Sequence, residues 1–146
     1  MFKHILLATD GSAASEHAAK TAISMALTHG AKLTALYVVD PYPYLGIGES
    51  NPLGFQAYMS AAYEDAAKSH ATVAALCSQS AGTINLQARM VEDVTASTGI
   101  VETAKNEGAD LIIVGSHGRT GLARLMVGSV VAKVLAEAII PVMVVR

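Results

Sequence analysis

The chain has 146 residues, of which 52% are hydrophobic and 15% charged, with a net charge of −2. That length suits one domain with a substantial core, read here as residues 1–146, and the acidic balance, the lack of Trp and tyrosines not interleaved with Lys or Arg argue against a nucleic-acid surface. No run of about 18 apolar residues occurs, so no membrane span is expected; the single cysteine, Cys77, cannot form an intramolecular disulfide and reads as a small hydrophobe on its helix, which fits the cytoplasm.

Phe2–Ala8 is an almost continuous apolar run, as expected of a strand covered on both faces and not of a signal peptide. Ser15–His29 places Ala18, Ala19, Ala22, Met25, Ala26 and His29 along one helical stripe, stopped by Gly30. Lys32–Val39 is a second apolar strand, closed by Asp40-Pro41. Pro41–Gly54, rich in Pro, Gly and Tyr and without periodicity, reads as a long loop able to act as a flap. Phe55–Ser80 is Ala-rich and free of Pro, which predicts a long helix ended by Gly82. Thr83–Val91 alternates through Ile84, Leu86, Ala88 and Met90, the pattern of a strand with a polar face at a sheet edge.

Thr95–Asn106 follows as a shorter helix, stopped at Gly108, and Asp110–Gly115 as a fourth strand with its buried run at Leu111–Val114. In Gly128–Ala138, residues Val130, Val131, Val134, Leu135 and Ala138 fall on one helical face, expected to be buried. Pro141–Val145 is the last strand. Strict alternation of strand and helix predicts an open α/β fold, with a parallel five-stranded sheet, helices on both faces and right-handed crossovers.

The most informative segment is LIIVGSHGRTGLARLMVGSVV, from Leu111 to Val131. A buried strand runs into a glycine-rich loop, and a helix opens at Gly128-Ser129. Gly115, Gly118, Gly128 and Ser129 stand in the spacing G-x2-G-x9-G-S. Glycines let backbone N–H groups approach phosphate oxygens closely, and a helix N-terminus adds unpaired N–H groups and the positive end of its dipole. Ser129 adds a hydroxyl, and Arg119 a cation. Any one of these glycines could simply turn a strand into a helix; the set together points to an anion site. It is not a Walker A loop, which needs Gly-Lys-Ser/Thr, nor a G-x-G-x-x-G dinucleotide fingerprint, since Gly115 and Gly118 are three apart.

This segment resembles the signature of the nucleotide-binding branch of the universal stress protein family. FKHILLATDGSAASEHAAKTAISMA is similar to that family's first strand and helix, ALYVVD to its second strand, and GADLIIVGSHGRTG with PVMVV to its last third. The resemblance covers essentially the whole chain and is weakest between Pro41 and Gly82. It implies a Rossmann-like sheet of order 3-2-1-4-5, and a ligand in such a sheet sits beyond the strand ends where the order reverses. Ala8-Thr9-Asp10 would then face Gly115-Ser116-His117-Gly118 across a crevice. Matching positions gives Asp10 for ribose, Val38 for adenine, and Gly115, Gly118, Arg119, Gly128, Ser129 and Val130 for ribose and phosphates. Ala8 stands where nucleotide-bound members often have proline, as a wall of the adenine pocket.

Alternatives remain open at two of these residues. Asp10 also suits a cap of the first helix, beside Ser12 and Ser15. His117 suits a loop residue touching a phosphate or a Mg²⁺-bound water, or a general base; as sequence neighbours, Ser116 and His117 are expected to point in different directions, against a serine nucleophile. His4, His17, His29 and His70 have no ligand spacing with Cys, Asp or Glu, so no protein-held metal is expected. No Walker B carboxylate or acid–base pair is evident. The expectation is therefore a dimeric stress-response or regulatory module that binds ATP, with Mg²⁺ carried by the phosphates, and that is read by an unidentified protein partner. A slow ATPase, or an interaction module with a vestigial pocket, are the alternatives. The final strand, Pro141–Val145, is an apolar edge that a second copy would cover, unless Pro141 and a neighbouring helix shield it.

Overall fold

The computed structural model describes residues 1–43, 52–117 and 127–146. Nine elements alternate along them: β1 (His4–Ala8), α1 (Ala13–His29), β2 (Lys32–Val39), α2 (Pro52–Ser78), β3 (Leu86–Glu92), α3 (Ala96–Glu107), β4 (Leu111–Gly115), α4 (Ser129–Glu137) and β5 (Val142–Val145). The strands form one parallel sheet of order β3-β2-β1-β4-β5, as the resemblance implied. Ile5 is in register with Leu33 on one side and Leu111 on the other, which makes β1 the central strand.

Being central explains the unbroken apolar run of β1. Ile5 and Leu7 pack under α1 and α2, whereas Leu6 packs under α3 and α4, and all three are fully buried. α1 begins where the Ser12 hydroxyl accepts the Ser15 N–H at 3.2 Å, and it ends at Gly30, whose left-handed backbone (φ 65°) turns its N–H back to the last carbonyls. Its buried stripe is Ala18, Ala19, Ala22, Ile23 and Ala26. Ile23 replaces the expected Met25 and His29, which are half-buried on the flank. The small alanines let α1 lie close to the sheet.

Two element starts and one buried face differ from expectation. α2 starts at Pro52, so Pro52–Gly54 belong to a helix and not to the loop; proline fits there because the first helical N–H has no intrahelical partner. The remainder of the expected flap, residues 44–51, lies outside the described residues. β3 starts at Leu86, because the Leu86 N–H turns back to the Ile84 carbonyl at 3.0 Å before the strand joins β2. On α4 only Val131 and Val134 of the expected face are buried, Ala138 being partly so; Val130 and Leu135 are 39% and 49% exposed. β3 is indeed an edge, and β5 forms the other.

A polar network closes the sheet at the end away from the crevice. Asp110 accepts the N–H groups of Lys3 and His4 at 2.9 and 3.0 Å. The buried His4 ring lies 2.8 Å from the Thr34 hydroxyl, which donates to Glu107 at 3.2 Å, and Glu107 pairs with Arg89 at 2.6 Å. Burial works to raise the Asp110 carboxyl, but the N–H groups it accepts and the nearby His4 outweigh this and hold it below the usual value. Strands β1 to β3 and the end of α3 are thus tied together, leaving the opposite strand ends to shape a site.

Candidate nucleotide site

The order of the sheet reverses between β1 and β4, whose chains leave the sheet toward opposite faces and open a crevice beyond their carboxyl ends. Two cavities lie there. The inner one, about 110 Å³, is walled by Ala8, Thr9, Asp10, Ser15, Leu36, Val38, Ala96, Ile100, Val114, Gly115, His117, Val130 and Val131. The outer one, about 400 Å³, is walled by Asp10, Tyr37, Val38, Val39, Asp40, Tyr58, Ala61, Ala62, Asp65, Ala96, Gly128, Ser129, Val130 and Val131. Asp10, Val38, Ala96, Val130 and Val131 line both, so the two adjoin along one cleft.

Asp10 follows β1 at the head of a tight turn. Its Oδ1 accepts the Ser12 N–H at 2.9 Å, while the cap of α1 is Ser12 itself. Asp10 therefore shapes the turn and also lines both cavities. β1 stops early relative to β2. The last bond between them is from the Thr9 N–H to the Leu36 carbonyl at 2.9 Å. Alternate residues of a parallel strand bond to the same neighbour, so Val38 is the next residue of β2 to face β1, where that strand has already ended. Its main-chain groups are thereby turned toward the crevice, where a planar base could read them.

On the other side, α4 opens at Gly128 (φ −61°, ψ 157°), which offers no capping side chain. The first N–H groups of the helix, beginning at Ser129 and Val130, stand at the outer cavity with the positive end of the helix dipole. The Gly128 N–H is tied to the Ser116 carbonyl at 3.0 Å, and the Ser116 N–H to the Val145 carbonyl at 2.8 Å, so this helix start is fixed to the ends of β4 and β5.

Three residues of the glycine segment make contacts the sequence did not show. A Cβ on Gly115 would lie 2.9 Å from the backbone of Ala14, so the close approach of α1 to β4 alone demands glycine there. Ser116 and His117, expected to diverge, are hydrogen-bonded, Oγ to Nδ1 at 2.9 Å. Ser116 is 4% exposed and lines neither cavity, whereas His117 lines the inner one, so the pair does not present a nucleophile. Gly118 and Arg119 lie outside the described residues.

Of the expected site residues, Ala8, Thr9, Asp10, Val38, Gly115, His117, Gly128, Ser129 and Val130 are brought to this one cleft. Sequence reasoning missed the wall supplied by α2. Tyr58, Ala61, Ala62 and Asp65 fall at i, i+3, i+4 and i+7, a helical face visible in the sequence but masked by the many alanines around it. It also missed Ala96, where α3 opens beside Val38. Among the described residues, no group of three or more His, Cys, Asp or Glu is arranged to hold a metal, and no helix is long and apolar enough to cross a membrane.

Known proteins share both the sequence and this architecture. The model of the universal stress protein family matches residues 1–146. A universal stress protein of Thermus aquaticus is 38% identical over 148 aligned positions, covering the whole of both chains. The solved structure of universal stress protein UspA from Lactobacillus plantarum superposes with a TM-score of 0.81 at 30% identity, covering 99% of this chain and 97% of the other. A universal stress protein solved in complex with cAMP matches with a TM-score of 0.64 at 25% identity, covering 99% and 97%. By sequence and by fold, the chain belongs to the universal stress protein family.

Proposed function

We propose that this chain binds an adenine nucleotide in the crevice between β1 and β4, as a nucleotide-responsive regulatory protein of the cytoplasmic stress response. The observation that carries the reading is the meeting of three different strand ends at one cleft. The Asp10 carboxylate faces the cleft as a ribose-hydroxyl acceptor, Val38 offers main-chain groups to the base, and the uncapped start of α4 offers N–H groups and the Ser129 hydroxyl to phosphate. Val38, Val130 and Val131, which line both cavities, give the base apolar walls along the cleft. The relative solved with cAMP supports the adenine part of this assignment. ATP is the nucleotide proposed, with Mg²⁺ held by its own phosphates; Gly118 and Arg119 complete the cradle in this reading.

The proposal includes a homodimer through Pro141–Val145 and a protein partner that distinguishes the occupied from the empty state. The Pro141 carbonyl accepts the Ile112 N–H of β4 and the Val145 carbonyl the Ser116 N–H just beyond it, which by alternation turns the main-chain groups of Val142 and Val144 outward. Leu135 and Ile139, 49% and 87% exposed, lie on α4 and just after it, in the segment that leads into β5, as further apolar surface. Mass spectrometry of the small molecules released on denaturing the purified protein tests the ligand assignment. An adenine nucleotide released in proportion to protein is expected. Release of none, together with no calorimetric binding of added ATP, AMP or cAMP, would refute it.

A further inference from the structure

We infer that Tyr58, on the α2 wall of the outer cavity, is a base-contacting residue that sets specificity for a planar purine; this rests on the nucleotide reading above and extends it to a helix that reading did not use. The ring is held from two directions. Its hydroxyl donates to the Asp40 carbonyl at 2.7 Å, and the Tyr42 ring packs edge-on against it at 5.3 Å and 62°. Tyr42 is in turn packed by Phe55 at 5.7 Å and 89°. A ring fixed in this way meets a ligand without losing rotamer freedom on binding.

Its position matches that of the base. The tether to Asp40 fixes Tyr58 beside the end of β2, the same strand end where Val38 turns its main chain toward the crevice. The ring packs in part against Tyr37, Val39 and Ala66, and Tyr58 also lines the cavity. Since its hydroxyl occupies the Asp40 carbonyl, in this inference the edge of the base is left to Val38 and its face to the ring. Ala61 and Ala62, one turn further along α2, carry only methyl groups, so nothing bulky on the helix stands beside the ring in the cavity. Val130, which lines the same cavity, is aliphatic. A planar group slotted between an aromatic face and a valine is held by stacking and dispersion, which every purine offers and a ribose phosphate alone does not.

The test compares adenosine, AMP and ATP by calorimetry on wild type, Tyr58→Phe and Tyr58→Leu. A base contact predicts that Tyr58→Leu weakens all three ligands by the same factor, about tenfold, while Tyr58→Phe, which keeps the ring, stays near wild type. Adenine protons of bound AMP should also show nuclear Overhauser contacts to a tyrosine ring in wild type, with the resonance assigned by its loss in Tyr58→Phe. Wild-type affinity in a folded Tyr58→Leu variant, a loss that grows with the number of phosphates, or absence of those contacts in bound wild type would overturn the inference while leaving the nucleotide reading intact. Failure of wild type to bind any of the three ligands would instead refute the reading itself.

Discussion

At Asp10 one carboxylate is proposed to serve two tasks, and a single substitution separates them. Asp10→Asn keeps an oxygen to accept the Ser12 N–H, so the turn and the start of α1 should survive. The charge proposed to meet a ribose is lost. The expected outcome is a thermal midpoint near wild type and adenine-nucleotide binding weaker by about 1.5–3 kcal/mol, read by calorimetry; unchanged affinity would leave Asp10 a turn residue only. Gly115→Ala acts differently, because the added Cβ would press on the Ala14 backbone at 2.9 Å. It should destabilise the fold by about 1–3 kcal/mol, measured by urea unfolding, whether or not ligand is present. His70 gives a pH dependence. Burial against the sheet pushes its pKa below the ordinary 6.5, although main-chain contacts at Ala35 and Arg89 work the other way. The unfolded chain then takes up the proton more readily than the folded one, so stability should fall as the pH drops below 6.5. His70→Gln should show a shallower decline over that range; parallel curves for the two proteins would remove His70 as the cause.

Among the elements, those whose two neighbours are both protein were legible in the sequence. The central strands read correctly because burial on both faces forces continuous apolar runs, as in His4–Ala8 and Leu111–Val114. α4 was legible as a helix but not in its facing. Hydrophobicity alone does not distinguish a valine under the sheet, such as Val134, from one at a cavity wall, such as Val130, or an exposed leucine, such as Leu135. For the same reason α2 was placed correctly but its site-facing side was not: alanine is as compatible with solvent as with a cavity, and only the three-dimensional cleft picks out Tyr58 and Asp65. Gly115 shows the converse error of motive. Its type was informative, yet the contact that demands it is with α1, a residue far off in sequence. β5 can be tested as an element. Because alternation turns the Val144 N–H away from β4, Val144→Pro should leave the β4 ladder in place and remove one outward donor. Light scattering should then show a dimeric wild type and a folded, monomeric variant; a wild type already monomeric at micromolar concentration would contradict the proposed pairing.

For the whole molecule, the two ends of the sheet divide the work. The Asp110, His4, Thr34, Glu107 and Arg89 network binds β1, β2, β3 and the end of α3 together at one end. The other end leaves main-chain groups, a carboxylate and a helix start facing one cleft. In the proposal, the nucleotide takes the cleft at the order reversal between β1 and β4, and a second copy pairs along the edge strand β5. The central claim is occupancy of that cleft by an adenine nucleotide. It is tested most directly by titrating ATP with Mg²⁺ into the nucleotide-free protein in a calorimeter, in parallel with Asp10→Asn. The account predicts saturable binding of one nucleotide per chain in wild type and markedly weaker binding in the variant, whereas no heat of binding in wild type, or equal affinity in both proteins, would contradict it.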